Sequence, residues 1–147
     1  MSKASRQKQR IWLILGFALL SYFASDYSAE KATSIPEVQS TLEQAIQQQR
    51  SDVQLEITGV VSRLLADDLD GRRHQKFIIQ IPTGQTILVA HNIDLAPRID
   101  ALQKGDTVTI YGEYEWNKKG GVIHWTHHDP AGRHINGWIK HQGQTYQ

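Results

Sequence analysis

The sequence predicts a mainly β protein. The expected fold is a small five-stranded barrel with an N-terminal helix, one inserted short helix and a C-terminal hairpin, behind a separate N-terminal hydrophobic segment. Three observations carry this. After Ser51 apolar residues alternate with polar ones, the period of a half-buried strand. Glycine, proline and an Asp-Gly pair punctuate these runs at short intervals. A helical period appears in two places, near residues 34–47 and 92–103.

The chain opens with "MSKASRQKQR", whose cations are Lys3, Arg6, Lys8 and Arg10, followed by the apolar "IWLILGFALLSYFA". This is the layout of a secretory signal. The run is shorter than the roughly 20 residues of a full transmembrane helix. Cleavage after Ala24 or Ala29 would put Tyr22 or Tyr27 where a small residue is needed. Residues 1–28 therefore read as a signal anchor in preference to a cleaved signal peptide. The basic flank would stay in the cytoplasm and the domain would lie in the periplasm, held at the inner membrane. The alternative is a secreted or periplasmic domain after cleavage. Residues 29–51 read as linker and amphipathic helix, and 52–147 as the barrel domain with a His-rich C-terminal extension.

The helix starts at "SIPE", with Ser34 as cap, Glu37 completing a capping box and Pro36 in the first turn. Ile35, Val38, Leu42, Ala45 and Ile46 share one face. The first strand is "VQLEITGVV", where Gly59 suggests a bulge or bend. Asp70-Gly71 marks a hairpin turn. "KFIIQI" and "TILVAH" form the next strands, joined through Pro82-Thr83-Gly84-Gln85. "NIDLAPRIDALQ" reads as a short helix with Asn92 as cap and Ile99 and Leu102 inward. "DTVTIYGEYEW" is the clearest strand: Val108, Ile110, Gly112, Tyr114 and Trp116 share one face. "NKKGG" then turns the chain into "VIHWTH". Five strands with a helix between the third and fourth is the element order of an oligonucleotide/oligosaccharide-binding (OB) barrel. The run "LQKGDTVTIYGEY" resembles the approach to the fourth strand of such domains.

Composition excludes several chemistries. There is no cysteine, hence no disulfide, thiolate metal site, catalytic thiol or lipidated cysteine. The formal charge is +1, but the cations concentrate before residue 33, and the remainder carries a slight acidic excess. A nucleic-acid binder usually shows a basic face. The candidates for a local patch are Arg72, Arg73 and Lys76, which would lie on the face of strands 2–3 through which OB barrels bind. Tyr111, facing outward, is a candidate for stacking on a base or sugar, whereas Tyr114 and Trp116 belong to the core. Asp67, Asp68 and Asp70 lack calcium-loop spacing and read as a solvated loop. His74 and His91 read as exposed polar residues.

The segment "HWTHHDPAGRHINGWIKH" holds five of the seven histidines. "DPAG" fits a turn with proline second, and Gln142-Gly143 the tip of a last hairpin. Zinc accepts His and carboxylate ligands, and three could come from His127, His128, Asp129, His134 and His141. The same group without a metal could act in acid–base chemistry through His127, His128, Asp129 and His134, with Arg133 holding a phosphate. A structural reading has His and Asp bonding backbone at the turn, with Trp125 and Trp138 packed beneath.

The stretches "GEYEWNKKGGVIHWTHHDP" and "GWIKHQGQTYQ" resemble the DUF3465 family of bacterial proteins of unknown function. The resemblance implies an identity without an activity. The expected function is a membrane-anchored envelope binding module for a small-molecule, saccharide or nucleic-acid ligand, with a partner protein as a further possibility. The alternative is a metal-dependent hydrolase, a phosphodiesterase or nuclease, working through the cluster 124–141 with a divalent metal such as zinc.

Overall fold

The alternation that begins at Val53 becomes a continuous strand because every second side chain has an apolar interior to enter. The computed structural model describes residues 35–147, with side chains from Thr41 onward. The hydrophobic segment 1–28 and the capping box of Ser34 and Glu37 fall outside what is described. Helix α1 (Ile35–Gln47) is followed by β1 (Val53–Leu64), β2 (His74–Gln80), β3 (Thr86–Asn92), β4 (Thr107–Glu115), β5 (Val122–His124), β6 (Trp138–His141) and β7 (Gln144–Tyr146). Among the described residues, no helix is long and apolar enough to cross a membrane.

Strands β1, β2, β3, β5 and β4 lie side by side in that order, and β4 pairs back onto β1 to close a five-stranded barrel. The β3–β5 pairing is parallel and the others antiparallel. The interior is filled by Leu55, Ile57, Val61, Phe77, Ile79, Ile87, Val89, Val108, Ile110, Tyr114, Ile123 and Ile139, all buried. Burial of each large apolar side chain stabilises the fold by about 1.5–3 kcal/mol. Leu42 and Ala45 of α1 join this core, so the helix seals one region of the barrel against β1. The hairpin of β6 and β7 turns through Gln142 and Gly143, both at positive φ, and adds to the β4 edge.

Three expectations are corrected. The segment 92–103 is a chain of turns and not a helix. Pro97 lacks an N–H and biases Ala96 away from the α region. The Asn92 carboxamide accepts the Asp94 N–H instead. The buried Gln75 side chain then clamps Ile99, donating to its carbonyl and accepting its N–H. Ile99 and Leu102 still point inward. Second, the register runs unbroken through Gly59, and the β1 irregularity falls between Val61 and Arg63. Gly59 gives Ile79 room, since an added Cβ would lie 3.1 Å from the Ile79 side chain. Third, His91 is fully buried and not exposed, because at the end of β3 it keeps the inward parity of Ile87 and Val89.

Candidate functional site

Alternation along β4 sends Val108, Ile110 and Tyr114 inward and Tyr111, Glu113 and Glu115 outward. Two strands share one edge of β4. β5 pairs along Glu113–Glu115, and β6 takes over at Val108–Tyr111. His124 lies opposite Glu113, and Trp138 lies opposite Tyr111. The whole segment between them is an excursion that leaves and rejoins the barrel at adjacent rungs. Close backbone approach there requires glycines. An added Cβ on Gly112 would sit 2.5 Å from the His124 carbonyl, and one on Gly137 would collide with the Trp125 carbonyl.

Trp125 begins the excursion at φ +54°, in the left-handed region. This breaks the strand parity. His124 stays on the outer surface, while Thr126 turns into the interior and meets His91, whose Nδ1 lies 2.8 Å from its hydroxyl. The other ring nitrogen, Nε2, donates to the Pro97 carbonyl at 3.1 Å, because a carbonyl can only accept. Nδ1 of the neutral ring therefore accepts the Thr126 hydroxyl proton. Burial, against the opposing Pro97 bond, pushes His91 down to about 4.

The structure disperses the histidine set suggested by the sequence. His127 is buried, with Nδ1 donating to the His128 carbonyl at 2.7 Å. His128 is exposed. Asp129 organises the turn, its carboxylate accepting the N–H groups of Ala131, Arg133 and His134. Those bonds, led by Ala131 and Arg133, hold its carboxyl below the usual range. Arg133 is exposed beside it. His141 is buried at the end of β6, opposite Val108 of β4, its Nε2 donating to Asp106 at 2.8 Å. The expected basic patch is also largely engaged. Arg73 pairs with Asp94 at 2.6 Å and Lys76 with Asp68 at 3.5 Å, while Arg72 is exposed in the loop. Tyr111 lies against Trp138, ring centroids 5.9 Å apart, and Lys140 covers the Trp138 ring at 4.2 Å.

Of the expected residues, His134 alone returns to a cluster, with partners that the sequence reading did not select. It stacks on Trp125 at 4.1 Å with planes 6° apart. Its Nδ1 donates to the Ile135 carbonyl and its Nε2 lies 2.8 Å from Glu113 Oε2. Two acceptors call for two ring protons. Burial lowers its pKa, but the Glu113 and Ile135 bonds and the charges of Glu113 and Asp129 outweigh it, and the net shift is upward.

Glu113 Oε1 faces the other way, 3.4 Å from His124 Nε2, and Glu115 Oε1 lies 3.8 Å from the same nitrogen. His124 Nε2 is removed from solvent and has no hydrogen-bond partner. Burial lowers the His124 pKa, outweighing the two carboxylates that raise it. On the other side of Glu113, across β1, stands Gln54, whose side-chain nitrogen and oxygen are likewise buried without partners. Buried polar groups are ordinarily satisfied, so three such atoms in one cross-strand row make this stretch the candidate site. The signal available in the sequence was the parity of β4, which puts Glu113 and Glu115 on one outer face opposite the returning His124.

Next to this cluster runs an apolar row. Ile78 pairs with Leu88, Leu88 with Val122, and Val122 with Glu115, all half-buried on the outer surface of β2, β3, β5 and β4.

The model of a family described as DUF3465, a protein of unknown function, matches residues 13–147. No curated protein matches the chain.

Proposed function

As the chain belongs to the DUF3465 family, whose description carries no activity, we propose its function from the barrel itself: a binding module of the cell envelope, held at the inner membrane by its N-terminal apolar segment. The ligand lies across the outer face of β2, β3, β5 and β4, with an apolar body on Ile78, Leu88 and Val122 and a polar head at Glu113, Glu115 and His124. The observation that carries this reading is the row of unpartnered buried polar atoms on Gln54 and His124 at the end of an apolar strip. Ligand sites combine apolar walls with a few such convergent groups.

Two carboxylates at the head of the site favour a cationic or hydroxyl-bearing group over a phosphate. The engagement of Arg73 and Lys76 by acids supports the same preference. Among saccharide and nucleic-acid ligands, an amine-bearing saccharide therefore fits best. The test is titration of the full chain, in mild detergent, with glucosamine oligomers, neutral glucose oligomers and oligothymidylate. Glucosamine oligomers should bind tightest, and Leu88→Glu should abolish that binding while leaving the melting temperature nearly unchanged. Salt-sensitive binding of oligothymidylate as the tightest of the three would defeat the reading. The envelope placement is tested by adding protease to intact spheroplasts, which should degrade the barrel domain; full protection would place it on the cytoplasmic side.

A further inference from the structure

We propose that Glu113 Oε1, Glu115 Oε1 and His124 Nε2 form a three-ligand site for a divalent first-row transition metal, zinc in the first instance, with His134 orienting Glu113 from behind. This inference rests on the proposed ligand site and deepens it at its polar head, where a bound metal would offer its fourth position to the ligand's amine or hydroxyl group. Among the described residues, Glu113, Glu115 and His124 offer ligand atoms that all lie within 4.8 Å of one another. Zinc binds imidazole and carboxylate at about 2.0–2.2 Å, so tetrahedral ligand atoms sit about 3.4 Å apart. The His124–Glu113 separation of 3.4 Å has this spacing, and the 3.8 Å to Glu115 needs a small side-chain adjustment. Metal would also give the buried His124 Nε2 the partner that it lacks.

The two oxygens of Glu113 divide the work. Oε1 faces His124, and Oε2 is held by His134 at 2.8 Å. A ligating carboxylate fixed by an outer hydrogen bond is the usual support of a metal site. His134 is fixed in turn by its stack on Trp125 and its bond to the Ile135 carbonyl. Three protein ligands leave the fourth position for water or a ligand group, as in reactive zinc sites. The donors are oxygen and imidazole nitrogen, without thiolate, which suits zinc, nickel or copper better than calcium or magnesium.

The experiment is calorimetric titration of the untagged full chain in mild detergent, stripped with chelator, using zinc sulfate as the probe. One equivalent should bind, and cobalt(II) should give visible bands of a low-symmetry site. Glu115→Gln and His124→Ala should each weaken binding at least tenfold, and His134→Asn by about 10–100-fold. The Glu115→Gln side chain is nearly isosteric, so that variant tests the site even if His124→Ala fails to fold. His128→Ala, remote in function, should bind as the parent does. Absence of stoichiometric metal, or binding undiminished by Glu115→Gln, overturns the proposal. Either result leaves the Leu88→Glu readout of the saccharide reading intact, so the two can fail separately.

Discussion

His91 and His124 sit on opposite sides of the same sheet and differ in how their ring nitrogens are satisfied. His91 faces inward, with one nitrogen against Thr126 and the other against Pro97. His124 faces outward, with Nε2 buried but unbonded beside two carboxylates. The first is a finished structural network, where protein groups meet every demand of the ring. The second leaves a buried ring nitrogen without a hydrogen bond from the protein. Histidine count and burial do not tell the two rings apart; the fate of each nitrogen does.

The backbone crossing at Trp125 and Gly137 serves both regions, so breaking it should have the largest effect. Gly137→Ala would drive a methyl group into the Trp125 carbonyl and to 2.5 Å from the Tyr111 carbonyl. We expect a loss of about 3 kcal/mol, read as a fall of roughly 10 °C in melting temperature. A stability within a degree of the parent would show that the crossing is not fixed as described.

His91 sharpens the inner half. Its pKa falls from an ordinary 6.5 to about 4 on folding. Between those values the unfolded chain binds more protons, so stability rises with pH across the window. The contribution is complete above pH 6.5 and fades as pH falls through 4, by about 3 kcal/mol in all. His91→Gln removes the titration, and the pH profiles of parent and variant should converge toward pH 4. Parallel profiles from pH 7 to pH 4 would contradict a buried neutral imidazole.

Asp129→Ala acts on the outer half through the loop that returns His134. Loss of the three bonds that its carboxylate accepts from backbone N–H groups should lower the melting temperature, by less than Gly137→Ala does. In ring-proton spectra, His134 resonances should move while those of His91 stay in place; movement of both would mean that the excursion and the interior are coupled. Glu115→Gln is expected to be the mildest, within about 0.5 kcal/mol of the parent in chelator-treated protein, because it changes an outer, partly exposed side chain. A large loss by chemical denaturation would recast Glu115 as part of the structural framework.

The barrel was legible because its signals are local. Strict alternation in "DTVTIYGEYEW", glycine-marked turns and the Gln142-Gly143 tip each depend on a few neighbouring residues. The inserted helix was misread because Ile99 and Leu102 do face inward, as a helix would place them, while Pro97 and the Gln75 clamp make turns the better solution. Gln75 is 24 residues from Ile99 in sequence, and no local pattern announces the pair.

The candidate site was only partly legible. The His-rich segment drew attention to His127, His128, Asp129, His134 and His141, neighbours along the chain. The fold sends His127 and His141 into buried bonds, gives Asp129 to a turn and leaves His128 in solvent. It then brings His134 to Glu113, 21 residues away. By itself the sequence determined the strand parity, the turns, the absence of thiol chemistry and which face of β4 carries its acids. Only the tertiary structure decided which histidine meets which carboxylate. The physical reason is that parity is set by the backbone of one strand, whereas a cluster of side chains depends on barrel closure and on the reversal at Trp125, which puts His124 outside and Thr126 within.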